Sequence, residues 1–525
     1  MNRRPDRSRG DLINRIIYQF IKERGKIMKK KIVIIGGGIA GLSTGIYALK
    51  AGYDAAIYEK NALAGGECMG WNRKGYHIDN CIHWLTGTDP KTDLWQVWKT
   101  MGAIDEQTEY VDEGKFYTSI LNGQALTLWN DLERTRQELT AFAPEDKDAI
   151  DLFIQHVEYA KTCVIPAKKP LDMMGIRDYI EMGKEMADMP KVMKTFGKIN
   201  MEDFGKMFKN PLLSTMMTDY LCYNYTAYSF LVSYATMAAG NGKIPVGGSL
   251  AMTNRIIKRF REMGGELHVN APVERILTEK AGRSDRAAGI VLTDGTVVRA
   301  DEVISAVDTG FLFGKLLDKK YLPAQYQKAY ADQKSYPTFS GFQAAFAVDS
   351  DFAGEGTIVF DCEPLQIGSN SFSRMSVKNF AYEPSFAPEG KAVLQTNVTQ
   401  QDEDFAFWKS LDEHAYAQTK ERLAGELEKR IVAQFPSLAG RIELLDCWTP
   451  RTYERYCNAY HGAYMSFITT KGTKQLRAKG ELKNLKNFYL AGQWIMCPGG
   501  LPIAAVSGKF AIQRILKREG RPVEI

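Results

Sequence analysis

Patterned sequence begins at Lys31, where KIVII is an unbroken run of Ile and Val. Such a run suits a strand buried on both faces of a parallel sheet. A helical pattern follows in IAGLSTGIYALKAG, closing at Gly52, and DAAIYEK predicts a second strand that ends in Glu59. Three later stretches are as clearly patterned. From Gly247, GGSLAMTNRIIKRFREMGGELHVNAPVERI predicts an amphipathic helix, a strand and a turn into another strand. From Gly289, GIVLTDGTVVRADEVISAVDT predicts a hairpin turning at Asp294-Gly295, then the strand EVISAV. Near the end, NFYLAGQWIMCPGGLPIAAVSGKFAIQRIL predicts a strand, a glycine loop and a helix beginning around Pro502. Strand, helix and strand in alternation predict an α/β fold.

Between the first strand and the first helix stand Gly36, Gly38 and Gly41, spaced G-x-G-x-x-G and followed by Gly45. Gly36 permits the tight turn, Gly38 lets the backbone approach a pyrophosphate, and Gly41 brings helix and strand together. Ile39 and Ala40 open the helix, whose positive N-terminal end faces the phosphates. Glu59, 23 positions after Gly36, accepts hydrogen bonds from the ribose hydroxyls of an adenosine. It would repel a 2′-phosphate, which disfavours NADP. Beyond Glu59 and Lys60 comes a second glycine pair, Gly65-Gly66, followed by Glu67.

That second pair resembles the phosphate-side motif of flavoprotein oxidoreductases, a group that includes amine oxidases and carotenoid desaturases. The resemblance implies FAD. It also implies that Val273 flanks the adenine through its backbone as the chain returns to the nucleotide domain. Gly492, Gln493, Gly500, Pro502 and Ile503 would serve the flavin end, where amide dipoles at a helix N-terminus stabilise the reduced ring. Within the group the chain resembles the phytoene desaturase, carotenoid isomerase and retinol saturase family, over roughly 31–88, 247–309 and 487 to the end. CPGGLPIAAVSG is closer to that family's C-terminal Pro-Gly motif than to the amine-oxidase pattern, and KGYHID resembles its G-Y-x-F-D. Three departures stand out. Glu67 occupies a place where many relatives have Arg or Ala, DNCIHW lacks a customary glycine, and Gln493 replaces an acid.

The implied fold is α/β (α+β overall): a Rossmann-like FAD domain with an interleaved substrate or cap domain. We divide the chain into an extension (1–28), a discontinuous FAD domain (29–110, 245–315 and 465–525) and a substrate domain (111–244 and 316–464). Eleven of the twenty methionines fall between Met173 and Met237, interleaved with Tyr220, Tyr223, Tyr225, Tyr228, Phe230 and Tyr234. This composition suits the core of a helical cap, an adaptable wall for a long apolar ligand, or both at once.

Composition narrows the partners. A chain of 525 residues, 45% hydrophobic and 25% charged, is ordinary for a multidomain globular protein. A net charge of +6 and the absence of zinc-finger or RNA-binding signatures argue against nucleic acid. Eight scattered cysteines without a C-x-x-C pair suit a reduced, cytoplasmic setting. No run of ~18 apolar residues appears. From Asp11, DLINRIIYQFIKERGK puts Leu12, Ile13, Ile16, Ile17, Phe20 and Ile21 on one helical face beside basic residues, a candidate membrane-surface contact.

No metal cluster and no hydrolase motif is present. Flavin N5 would carry the hydride, while the protein excludes water and lays the substrate across the ring. His83 is the candidate catalytic side chain, as proton donor or carbocation stabiliser. His77, Asp79, Trp84, Trp494 and Cys497 share its neighbourhood. The leading expectation is desaturation, isomerisation or saturation of a carotenoid- or isoprenoid-like lipid, with oxygen or a quinone as electron acceptor in the oxidative case. The alternatives are an amine or amino-acid oxidase, and a non-catalytic FAD-bound scaffold or lipid carrier.

Overall fold

The computed structural model describes residues 29–349, 351–352, 356–473 and 475–525. The amphipathic segment from Asp11 lies outside them. The first three elements are β1 (Lys31–Ile35), α1 (Ile39–Lys50) and β2 (Asp54–Tyr58). β1 pairs in parallel with β2 on one side and with Glu302–Ser305 on the other. The sheet runs Glu266–His268, β2, β1, Glu302–Ser305, Leu485–Leu490, Ser284–Leu292, Val273–Ala281. Ile32, Val33 and Ile34 are fully buried, as an uninterrupted apolar strand requires of a sheet covered on both faces.

On one face, Ile32, Ile34 and Ile57 pack against Leu42 and Ile46 of α1. Ile256 and Phe260 of the helix Gly248–Glu262 and Ile512 of the C-terminal helix Leu501–Arg518 join them. The approach of α1 is set by Gly41, where an added Cβ would lie 1.9 Å from the Gly36 carbonyl oxygen. Gly36 itself sits at φ +95°, which a side chain rarely tolerates. On the opposite face, Val33 and Ile35 pack with Leu312, Phe313, Leu316 and Tyr326. Residues up to the helix Ala324–Ala331 therefore cover the nucleotide sheet, although the sequence division assigns 316–464 to the substrate side. Apolar side chains hold this segment there, helped by Tyr321 donating to Asp285 and Tyr326 to the Trp494 carbonyl, and no motif marks it.

A second sheet of seven strands has the order Ile442–Trp448, Phe339–Asp349, Lys391–Gln401, Asn370–Asn379, Gly356–Ile367, Lys115–Leu121, Gln124–Trp129. Neighbours are antiparallel except Gly356–Ile367 and Lys115–Leu121. Because side chains alternate along a strand, the register separates two faces. Phe346, Phe360, Val377 and Leu394 turn to Leu423, Leu427 and Ile431 of the helix Glu413–Gln434. The other face aligns Gln395 with Lys378, Lys378 with Thr357, and Asn397 with both Ser376 and Gln343. Helices between Leu132 and Ala238 close over this end of the molecule around Phe116, Phe153, Phe204 and Phe230.

Candidate active site

The two glycine motifs meet. Gly65 N–H donates to the Gly37 carbonyl at 2.9 Å, and Gly38 pairs with Gly65 as an isolated parallel bridge. Glu59, at the end of β2, is held by Gly37 N–H at 2.8 Å and by the Asn61 backbone and side-chain N–H groups at 2.9 and 2.8 Å. α1 begins without a side-chain cap and without an acid in its first turn. The C-terminal helix, behind Gly500, begins the same way. Gly38, Ile39 and Ala40 line one end of a continuous cavity of about 1470 Å³, and Gly492, Gly500, Pro502 and Ile503 line another part of it. Uncapped helix ends leave N–H donors free, so one suits a pyrophosphate and the other an electron-rich ring edge. At Gly492, φ is +119° and nothing lies within 4 Å of where a Cβ would stand. The backbone is thus bare toward the cavity, and these residues fit FAD.

Glu59, Lys60, Gly65, Gly66, Glu67 and Val273 line the same cavity. Gly36 joins them at the turn, while Gly41 acts from behind it, through the contact of helix with strand. Lys60 turns its ammonium to the Arg455 carbonyl (2.8 Å) and Asn458 Oδ1 (2.9 Å). Gln493 is a bridge: Oε1 accepts from Gly500 N–H at 3.0 Å, and Nε2 donates toward Glu67 Oε2 at 3.4 Å. Burial pushes the Glu67 carboxyl up to about 8, with the nearby Asp308 charge adding to this and the Gln493 bond opposing it. Asp308 is itself pushed up to about 6 by burial, against backbone bonds from Tyr460, Gly310 and Phe311. A protonated Glu67 removes the repulsion that an ionised acid would exert on a pyrophosphate, so an acid at this place is compatible with FAD.

His77 and Asp79 are spent on structure. His77 bonds Asn72 Oδ1 at 2.8 Å and packs on Phe386. Asp79 is buried and accepts from Ser249 N–H (2.5 Å) and Ser249 Oγ (2.6 Å), anchoring the first turn of the helix Gly248–Glu262. Trp84, Trp494 and Cys497 line the cavity. The methionine-rich stretch divides. Met201, Met216 and Met217 are fully buried core, whereas Met182, Met186, Met189, Met193 and Met237 line the cavity with Tyr220, Tyr225 and Tyr228. Phe230 and Tyr234 belong to the core, and Tyr223 is exposed.

His83 lines the cavity and is open to it. Among the described residues its imidazole has no hydrogen-bond partner. Desolvation by the surrounding protein pushes its pKa down to about 3, with the Lys378 ammonium as the second cause. The imidazole is therefore neutral at physiological pH, so the imidazolium proton donor considered from sequence is not its resting form. A neutral ring with a free lone pair retains the capacity to stabilise positive charge.

Sequence reasoning missed two charged pairs on the cavity wall. Lys378 Nζ donates to the His83 carbonyl at 3.0 Å and lies 3.5 Å from Glu113 Oε2. Arg374 grips Asp219 through Nε (2.8 Å) and a terminal nitrogen (2.6 Å). Their partners are 265 and 155 positions apart; Asp219 follows the helix Pro211–Thr218 and Glu113 precedes the strand Lys115–Leu121, so only the folded arrangement brings them together. A signal did exist, because Lys378 and Arg374 share a strand period of two with Ser376.

Comparison with known proteins adds the following. The family model described as "Flavin containing amine oxidoreductase" matches residues 39–516. A chloroplastic prolycopene isomerase from Daucus carota is 23% identical over 518 residues, covering 94% of this chain and 80% of that protein. A 4,4'-diapophytoene desaturase (4,4'-diapolycopene-forming) from Methylomonas sp is 23% identical over 511 residues, with 93% and 96% covered. Among solved structures, an oxidoreductase from Methanosarcina mazei superposes with a TM-score of 0.58 at 17% identity, covering 92% of this chain and 100% of that one. Cyclohexylamine oxidase from Brevibacterium oxydans does so with 0.54 at 15%, covering 94% and 100%.

Proposed function

We propose, for a chain that belongs to the flavin-containing amine oxidoreductase family, redox chemistry at carbon–carbon bonds of a long unsaturated substrate. The membership, the carotenoid-type relatives and the structural neighbours make it an FAD-dependent oxidoreductase of the amine oxidase superfamily. The finer reading, a carotenoid- or isoprenoid-like polyene that is desaturated, isomerised or saturated, is supported chiefly by one observation. The cavity continues from the FAD elements into a wall of Met182, Met186, Met189, Met193, Tyr220 and Tyr228. Flexible thioethers and aromatic faces accommodate a long chain in more than one bend.

When bound, FAD supplies hydride exchange at N5. The uncapped N-terminus of α1 would hold the pyrophosphate, Glu59 the ribose, and the C-terminal helix the pyrimidine edge. The helices packed around Phe153, Phe204 and Phe230 cover the substrate end of the cavity. Trp84 and Tyr220, with ring centroids 5.9 Å apart, line the channel in which the chain is oriented, and His83 stabilises positive charge along it. In the oxidative case oxygen or a quinone would take the electrons.

Delivery from a lipid surface fits the outer side of the methionine wall. The helix Ile176–Glu185 has no buried residue. It exposes Ile176, Tyr179 and Ile180 while its own Met182 lines the cavity. No helix among the described residues is long and apolar enough to cross a membrane. The solved amine oxidases favour a second reading by fold alone. An amine substrate calls for an aromatic cage over the flavin and often an anionic anchor; Trp494 and the cavity tyrosines permit the cage, while Glu113 is already matched by Lys378.

The test is anaerobic flavin absorbance during additions of unsaturated isoprenoids and then of amines. Bleaching by the isoprenoid supports the proposal. Bleaching by amines alone contradicts it.

A further inference from the structure

A bare hydrocarbon calls for an apolar cavity throughout, yet one wall of this cavity is polar. Lys378 and Gln395 stand directly opposite each other on adjacent antiparallel strands, so their side chains share one face. Both line the cavity. The Lys378 side chain is 5% exposed and Gln395 is 6% exposed. An ammonium carries three donors. Lys378 gives one to the His83 carbonyl at 3.0 Å and leans toward Glu113 at 3.5 Å, which leaves one N–H to spare. Gln395 Nε2 has no partner among the described residues. Burying donors without acceptors is unfavourable; Lys378 lies on the cavity wall, and a half-turn of the Gln395 amide, which exchanges its two ends, would bring the enclosed Nε2 there as well.

Local charge selects the acceptor. Glu113 offsets Lys378, and Asp219 offsets Arg374. A carboxylate entering this site would crowd Glu113 around the same ammonium. A neutral oxygen acceptor meets two donors and leaves the charge balance unchanged.

We propose that the substrate carries a carbonyl oxygen, as in a ketone, aldehyde or ester, which accepts hydrogen bonds from Lys378 Nζ and Gln395 Nε2. This contact sets the register of the chain along the cavity and past His83. Lys378 and Gln395 are thus specificity-determining residues, and the inference rests on the long unsaturated substrate proposed above.

Calorimetric titration of the FAD-loaded protein tests it with three probes. They are farnesylacetone (an unsaturated isoprenoid methyl ketone), the matched hydrocarbon with a methylene in place of the carbonyl, and the corresponding carboxylic acid. The ketone is expected to bind at least about tenfold more tightly than either of the others, the yield of a hydrogen bond from a charged donor. In Lys378→Met combined with Glu113→Gln, which avoids stranding a buried carboxylate, that preference should vanish while hydrocarbon binding persists. Gln395→Leu, which leaves both charges in place, should lose several-fold. A preference for the hydrocarbon or the acid, or a ketone preference that survives both variants, overturns the carbonyl anchor and leaves the long-chain reading standing. If none of the three binds, both fall.

Discussion

The two ends of the cavity are built on opposite principles. The nucleotide end is made of backbone: Gly36, Gly38 and Gly65 expose peptide groups, two helices arrive uncapped, and Glu59 is pinned by Gly37 and Asn61. The substrate end is made of side chains, with methionines and aromatics on one wall and Lys378, Gln395, Glu113 and His83 on the other. Backbone recognition tolerates little, because the contact is the main chain itself. Side-chain recognition can be retuned one residue at a time, so the same scaffold can serve different substrates.

The sharpest break of this contrast is Gly41→Val. Its Cβ would fall 1.9 Å from the Gly36 carbonyl, and a loss of roughly 4 kcal/mol or more in stability is expected, together with loss of bound FAD. Thermal denaturation and the flavin-to-protein absorbance ratio measure both. At the substrate end, Lys378→Met alone should cost about 3–5 kcal/mol by leaving Glu113 buried and unpaired. Adding Glu113→Gln should restore most of that, a coupling that a double-mutant cycle reads directly. FAD content should be the same in all three proteins.

His83→Leu should keep FAD and lower turnover about tenfold, within the usual range for one positioned side chain. With its pKa near 3, the wild-type ring stays neutral between about pH 5 and pH 8. It should therefore add no inflection to the rate profile there. An inflection that the variant removes would restore an acid–base role. The smallest effect concerns Glu67. Its carboxyl is protonated in the fold up to about 8 but ionises near 4.5 in the unfolded chain, so between those values the native state holds the extra proton. Stability of the FAD-free protein should fall as pH rises through this window, and Glu67→Gln should flatten the slope. A slope unchanged in the variant would place its source elsewhere.

How much of this was legible in the sequence follows the same division. Contiguous motifs revealed the nucleotide end, because Gly36 to Glu59 forms one strand–helix–strand unit whose geometry is local. The helices Gly248–Glu262 and Leu501–Arg518 were legible for the same reason. Lys378 and Glu113 were not, since 265 positions separate them and only the fold joins a sheet residue to a loop residue. Segment 316–331 was assigned to the wrong side because Leu316 and Tyr326 reveal that they are buried, not against which sheet. In the methionine-rich stretch, composition foretold both core and cavity wall. Which methionine serves which required the fold: Met216 is core and Met186 is cavity.

That the flavin and the long substrate share one continuous cavity is tested most directly by the absorbance of bound FAD during anaerobic addition of farnesylacetone. A saturable shift of the flavin band, complete at one ligand per protein and coincident with the calorimetric isotherm, is the expected result. Calorimetric binding with an unmoved flavin band would mean that the ligand sits apart from the ring, and the single-cavity arrangement would be wrong.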